Sequence, residues 1–356
     1  MIDLNRLTIR PMKSDEAEML YQVGKKKFSL IERVAISKPE YALVAMVDGN
    51  FAGAGFYEII AGADNKRMGY VSLVYIIEQY RGEGIGNILY PAVIDLLKSE
   101  CDLVTAMVYD DNVASWKLFQ KQGFSRAGIL DTIKAVGLSN SIKLWLKTFY
   151  CIASGNNLWV SKPIPPYKSI QEGFTYFLLN IALLLPFILF ALLFRGNTSL
   201  WALPAMLTVV TTTLMAGRIG CLIARRSWNF QLVRGGILVT LIVSFFGLLF
   251  PVYGRWYPSK YENSSGFRRD MGIEALCEWL GIVALCIPAV LYPTYPYFIW
   301  ISNYAASILL YHVFTIYPFA HFGSRRILHW SKVAYLLMIV ASLICLYLLW
   351  QPFGIH

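Results

Sequence analysis

No Asp or Glu follows Glu278 in this 356-residue chain, and residues 172–356 carry five carboxylate side chains against 17 in residues 1–171. So little acid, beside long stretches free of any charge, excludes an ordinary soluble fold for the second half. The six cysteines (101, 151, 221, 277, 286 and 345) form no C-x-x-C pair, which leaves them as small buried hydrophobes rather than metal or redox ligands. The N-terminus lacks the ~7–15-residue apolar core of a secretory signal, because Asp3, Arg6 and Arg10 interrupt its apolar residues. The first domain is therefore expected to stay on the side where it is made. Most of the +10 net charge sits on the second half, where Lys/Arg clusters set topology or meet anionic lipid, and no nucleic-acid partner is expected.

What is present begins as β structure. Polar and apolar residues alternate around Leu7–Arg10, and Tyr41–Val47 and Phe51–Ile60 flank Asp48-Gly49-Asn50, a hairpin signal. A further β-prone run, Gly69–Ile77, leads into Glu78-Gln79-Tyr80-Arg81-Gly82-Glu83-Gly84-Ile85-Gly86, and an amphipathic helical pattern follows through Leu97. Strand, glycine-rich turn and helix together aim several backbone N–H groups at one anion. A pyrophosphate needs the close backbone approach that side chains at Gly84 and Gly86 would obstruct, and the helix N-terminus stabilises its charge. The next strand, Leu103–Tyr109, runs into Asp111-Asn112-Val113-Ala114-Ser115-Trp116-Lys117-Leu118-Phe119-Gln120-Lys121-Gln122-Gly123-Phe124. A stretch expected to be hairpin-like covers residues 125–150.

Arg81-x-x-Gly84-x-Gly86 after a strand, followed by the Asn112 to Phe124 segment, resembles the two signatures of the GNAT (Gcn5-related) N-acetyltransferase superfamily in order and spacing, over roughly residues 5–130. The resemblance implies an α+β fold, a mixed twisted sheet flanked by helices, whose fourth and fifth strands splay to admit the pantetheine arm of acetyl-CoA. It places Ile76 and Ile77 on the pantetheine, Arg81, Gly82, Glu83, Gly84, Ile85 and Gly86 on the pyrophosphate, and Asn112 and Phe119 beside the cofactor. Many members carry a tyrosine where this chain has Phe119, which cannot protonate the departing thiolate. Tyr109 or Tyr90 would then serve, or the thiolate leaves unassisted, since a thiol pKa of about 8.5 makes it a tolerable leaving group. Glu58 is the first candidate for the base that neutralises the acceptor amine, and Glu78 the second; as an alternative, both are solvated strand-end carboxylates.

The second half reads as membrane. A Pro-containing linker, residues 151–172, includes Ser-Lys-Pro-Ile-Pro-Pro and should be extended. Charge-free stretches cover 173–194, 199–217, 235–254, 297–320 and 333–354, and 273–292 is apolar apart from Glu274 and Glu278. Each approaches the ~20 residues that span a bilayer, giving an all-α polytopic domain of five or six helices over 173–356. Six spans would put Arg255, Arg268, Arg325 and their neighbours outside; if 235–254 dips in and returns, five spans remain and all but Arg195 of the second-half Lys/Arg lie inside, as the positive-inside rule requires.

The dipping segment belongs to a second resemblance, covering roughly residues 205–335, to the site-2 protease family of intramembrane metalloproteases. Ala216 to Arg226 lies where that family bears H-E-x-x-H. Pro318-Phe319-Ala320-His321-Phe322-Gly323 to Trp330 resembles its later Asp-Gly motif. On this matching Ala216, Gly217, Gly220 and Gly323 replace both histidines, the catalytic glutamate and the aspartate, so no metal and no protease activity are expected. The four histidines (312, 321, 329 and 356) stand beside aromatic runs and read as interfacial or hydrogen-bonded.

Together these readings describe a multi-pass integral membrane acyltransferase with its GNAT domain, residues 1–150, in the cytoplasm. It would transfer acetyl from acetyl-CoA to a primary amine of a protein, peptide, amino sugar or small metabolite. The lipid bilayer is a partner, and a membrane protein stands among the candidate acceptors. The rival is an acetyl-CoA-sensing or non-catalytic scaffold with a pseudoprotease domain, which Phe119 favours.

Overall fold

The computed structural model describes residues 6–26, 33, 36–63, 65–108, 112–149, 151, 156–164, 173–182, 201–232, 240, 251, 254–258, 262, 264–315 and 319–350. The chain divides into one unit of residues 1–152 with 156–165 and a second of 153–155 with 166–356.

In the first unit, β1 (Leu7–Pro11), β2 (Tyr41–Val47), β3 (Asn50–Ala61) and β4 (Arg67–Ile76) form an antiparallel meander. Asp48 and Gly49 close the β2–β3 hairpin with φ of 48° and 76°, the two left-handed residues that a tight hairpin turn requires. Between β1 and β2 lies α1 (Ala17–Lys25), which buries Leu20 against Ala42, Val44, Ala54, Phe56 and Tyr75. After β4 come α2 (Gly86–Glu100), β5 (Leu103–Val108), α3 (Val113–Lys121) and β6 (Ser125–Ala127). Leu89, Val93, Ile94 and Leu97 of α2 are buried, at the spacing of one helical face.

Two expectations about the rest of this unit are corrected. Residues 125–150 are not a hairpin: after β6 the chain forms α4 (Ile129–Val136) and α5 (Leu138–Lys147). Asp131 accepts the Gly128 amide at 2.8 Å, a reach-back that starts a helix. Gly137, at φ 85°, then separates the two helices. Nor is 151–172 wholly a linker, because Asn157–Val160 is a buried strand, β7. It inserts between β5 and β6, antiparallel to both, giving the seven-stranded order β1-β2-β3-β4-β5-β7-β6. Its Trp and Val suit a pleated buried surface, and Leu158 and Val160 join Met68, Leu103, Val136 and Leu144 in one core.

The second unit contains α6 (Gly173–Ala182), α7 (Ala202–Ile223), a ribbon of β8 (Trp228–Leu232) and β9 (Gly254–Pro258), then α8 (Ser265–Leu291), α9 (Pro296–Val313), α10 (Ser324–Trp330) and α11 (Lys332–Trp350). Among the described residues, α7, α8 and α11 are long and apolar enough to cross a membrane. The segment expected to dip in and return, 235–254, lies largely outside the described residues. Leu232, before it, and Gly254, its last residue, are paired across the ribbon.

Asp270, Glu274 and Glu278 recur at four-residue spacing on α8, and all three are buried, so one helical stripe carries three carboxylates inward. Arginines from elsewhere in the unit meet each of them. Arg226 reaches Asp270 at 2.5 Å, Arg326 reaches Glu274 at 2.5 Å, and Arg255 reaches Glu278 at 2.6 Å and Glu274 at 3.3 Å. Arg255 and Arg326 are 3% and 7% exposed, so these two cations are structural ion-pair members rather than free loop charges. Removing one partner of such a pair strands the other charge in a dry interior. Arg255→Met should therefore destabilise the second unit by about 3–5 kcal/mol, read as the shift in its unfolding transition by tryptophan fluorescence in detergent.

Candidate active site

The parallel pairing of β4 with β5 covers only Met68–Val71 against Leu103–Ala106. A bend in β4 coincides with its end. The β3–β4 register shifts where Phe56 faces Leu73 and Tyr57 faces Val71, which leaves Ser72 as the extra residue of a bulge, and a bulge bends its strand. On its far edge β5 continues to pair with β7, Met107 and Val108 with Leu158 and Asn157, so only the edge facing β4 is left open. Beyond Val71 the two strands part. Because the Ile77 amide donates to Ala52 C=O at 2.9 Å, strand alternation turns the N–H groups of Ile76 and Val74 the other way, to the open edge.

The gap is a cavity of about 340 Å³, lined among others by Glu58, Tyr70, Ser72, Val74, Tyr90, Asn112, Ser115, Phe119, Lys147 and Cys151. Burial pushes the Tyr90 phenol above its ordinary range, partly offset by the Ser115 hydroxyl, which lies 3.2 Å away; the phenol therefore keeps its proton at neutral pH. The Phe119 ring stands edge-on to Tyr90 at 5.7 Å. Burial also pushes the Cys151 thiol up, so it is not a ready thiolate.

The turn before α2 has the geometry of an anion cradle. Gly82 and Gly84 sit at φ 85° and 88°, where a side chain is strained. A Cβ at Gly86 would meet no protein atom within 4 Å, so internal packing does not demand glycine there. The amides of Asn87, Ile88 and Leu89 are used within the turn and the helix start. Among the described residues, those of Gly82, Gly84, Ile85 and Gly86 have no protein acceptor. Four free donors at a helix N-terminus fit a diphosphate. Tyr90, one helical turn on from Gly86, carries the same face of α2 into the cavity.

The expected site residues fall into three groups. Glu58, Asn112 and Phe119 line the cavity, while Ile76 and the Arg81 to Gly86 turn flank its entrance strand and helix. Asn112 also caps α3, its side chain accepting from the Ser115 amide at 3.2 Å. The Ile77 amide is engaged by Ala52, and Glu78 is exposed in the turn, away from the cavity lining. Tyr109 lies outside the described residues. Sequence reasoning missed Tyr70, Ser115, Lys147 and Cys151. Lys147 Nζ is 2.8 Å from Glu58 Oε2, a contact across distant elements that no local pattern announces.

Residues 8–124 match the model of the Acetyltransferase (GNAT) family. The chain is 28% identical over 89 residues to N-alpha-acetyltransferase 30 of Schizosaccharomyces pombe, and 28% identical over 111 residues to that of Homo sapiens. These segments are 25% and 31% of this chain and span 59% and 31% of those relatives. Among solved structures, Arabidopsis thaliana Naa50 in complex with the bisubstrate analogue CoA-Ac-MVNAL is 19% identical, at a TM-score of 0.29, with 35% of this chain and 85% of that one covered. Ard1 from Thermoplasma volcanium is 17% identical at a TM-score of 0.28, with 44% and 95% covered. Over its first unit the chain is thus similar to acyltransferase enzymes of the GNAT type.

The cradle's conformation can be separated from its packing. Gly84→Ala puts a Cβ on a left-handed residue and should cost about 1 kcal/mol or more. Gly86→Ala, whose Cβ meets nothing, should stay within about 0.5 kcal/mol of the parent. Urea midpoints of the two variants, compared in the same detergent, check this.

Proposed function

We propose that the first unit is an N-acetyltransferase that moves an acetyl group from acetyl-CoA to a primary amine. The observation that carries this reading is the conjunction of two features on one face of α2: a turn with four uncommitted amides, and a parted pair of strands. The turn at Arg81 to Gly86 would hold the pyrophosphate, with the exposed Arg81 guanidinium adding charge. The pantetheine arm would run along the open edge of β4, its thioester polarised by the Val74 and Ile76 amides. Glu58, the one carboxylate in the cavity lining among the described residues, would take the proton of the acceptor ammonium. Tyr90, placed on the same cavity and still protonated, is the better-placed donor for the leaving thiolate among the described residues.

A protein or peptide α-amine leads the acceptor classes, supported by the relatives named N-alpha-acetyltransferases. The second unit would hold this chemistry at a bilayer, supported by the three apolar helices. The paired ends at Leu232 and Gly254 favour the five-span arrangement with a cytoplasmic first unit, because a segment that returns to its starting point adds no net crossing. The reading of this unit as a protease relic draws support from two glycines. A Cβ at Gly217 would lie 2.9 Å from Glu278 Oε1, and one at Gly323 would lie 2.6 Å from Arg255 Nη2. Two motifs far apart in sequence thus converge on one Arg255–Glu278 ion pair, which would fill the place of a metal site.

A sensor that binds acetyl-CoA without transferring it is the second reading, favoured by the buried, proton-less Phe119 ring. Release of free CoA in the presence of peptide amines separates the two, since a sensor releases none. Gly86→Ala should weaken acetyl-CoA binding while leaving stability unchanged, and Glu58→Gln should keep binding but lower turnover by about 100-fold. Calorimetric titration and a thiol-release assay measure these. An unchanged affinity in Gly86→Ala together with no CoA release from the parent would overturn the enzyme reading.

A further inference from the structure

Among the described residues, the lining of the cavity between β4 and β5 holds one carboxylate and one amine, and they are already in contact. Lys147, in the last turn of α5, places Nζ 2.8 Å from Glu58 Oε2; the lysine side chain is 54% exposed and the glutamate 17%. Both line the same cavity as Val74 and Val108, the strand positions between which a thioester would lie. An external acceptor needs this arrangement, a primary amine held against a base beside the acyl donor. The chain supplies it from its own sequence.

We propose that Lys147 is an intramolecular acetylation site of this enzyme, a statement that rests on the acetyltransferase reading above. Glu58 takes one proton from the Lys147 ammonium, and the neutral Nζ attacks the thioester carbonyl carbon. A C–N bond forms, the C–S bond breaks, and the departing CoA thiolate takes up the second nitrogen proton. The products are an amide at Lys147 and free CoA, with one proton released from Glu58 to solvent. The flexible four-carbon stem of lysine lets Nζ leave its ion pair and swing along the cavity. Acetylation has a consequence for the same site. An acetamide carries no charge, so it no longer pairs with Glu58, and the carboxylate becomes available to an incoming amine.

The test uses the full chain in detergent with acetyl-CoA alone and follows peptide masses over time. The expected result is one acetyl group on Lys147, appearing with a first-order rate constant independent of protein concentration. Glu58→Gln, which leaves the cradle intact, should slow it about 100-fold, and Gly84→Glu, which fills the cradle, should abolish it. Equal modification of Lys147 in the parent and both variants would mean spontaneous acylation, and a rate proportional to protein concentration would mean transfer between molecules; either overturns the proposal. If the parent binds acetyl-CoA and acetylates an added peptide while Lys147 stays unmodified, this inference falls and the enzyme reading stands. If the parent binds no acetyl-CoA, both fall.

Discussion

The parting of β4 from β5 is the constraint on which the first unit turns. A parallel pair normally continues as far as its strands allow, since each unmade backbone bond leaves a donor or acceptor wanting a partner. Here pairing stops after four residues on each strand. The bulge at Ser72 bends β4 away, while β5 runs on beside β7 on its other edge. Everything at the site follows from that opening. It exposes the Val74 and Ile76 amides and creates the 340 Å³ cavity, whose lining includes the contacting side chains of Tyr90 on α2 and Ser115 and Phe119 on α3. Closing the gap would satisfy two strand edges and remove the site.

The second unit manages a different difficulty, that of carboxylates within apolar helices. Taking an ion pair out of water is repaid only when geometry and further hydrogen bonds are good. Arg255 reaches both Glu274 and Glu278, and Arg326 adds the Trp256 carbonyl to its bond with Glu274. The same pairing ties α8 to β9 and to α10. Arg255 and Arg326 are thereby buried with partners rather than left as loop charges.

What could be read from the sequence was local. The Asp48-Gly49 turn, the strand-to-helix cradle and the α3 cap at Asn112 each declare themselves within a few residues, because left-handed backbone and helix ends restrict residue choice. The stretch 125–150 misled because its alternation is short and its helix signals, Asp131 reaching back to Gly128 and Gly137 between helices, were outweighed by β-prone residues. Strand β7 was hidden by the prolines that follow it and by its partner β5 lying far upstream. The site failed to be legible where it depends on such distant pairings. Glu78 is adjacent to the cradle in sequence and yet exposed, whereas Lys147, remote in sequence, touches Glu58.

Phe119, where the GNAT signature that this chain resembles often has tyrosine, takes on a different weight beside the Glu58–Lys147 contact. In acetyl transfer to an amine the two proton movements are not equally demanding. A lysine ammonium with a pKa of about 10.4 is almost wholly protonated at neutral pH, and an α-ammonium of about 8 mostly so, and neither has a lone pair to attack with, while a thiol of pKa about 8.5 leaves tolerably as its anion. The loss of a base therefore depletes the nucleophile, and the loss of an acid only raises a lower barrier. A site that retains a carboxylate against an amine, and lets the neutral Tyr90 phenol stand near where a tyrosine is missing, has kept the step that matters more. On the acetyltransferase reading proposed above, Phe119 would then be compatible with turnover, and the amine that meets Glu58 would be the feature that defines the substrate.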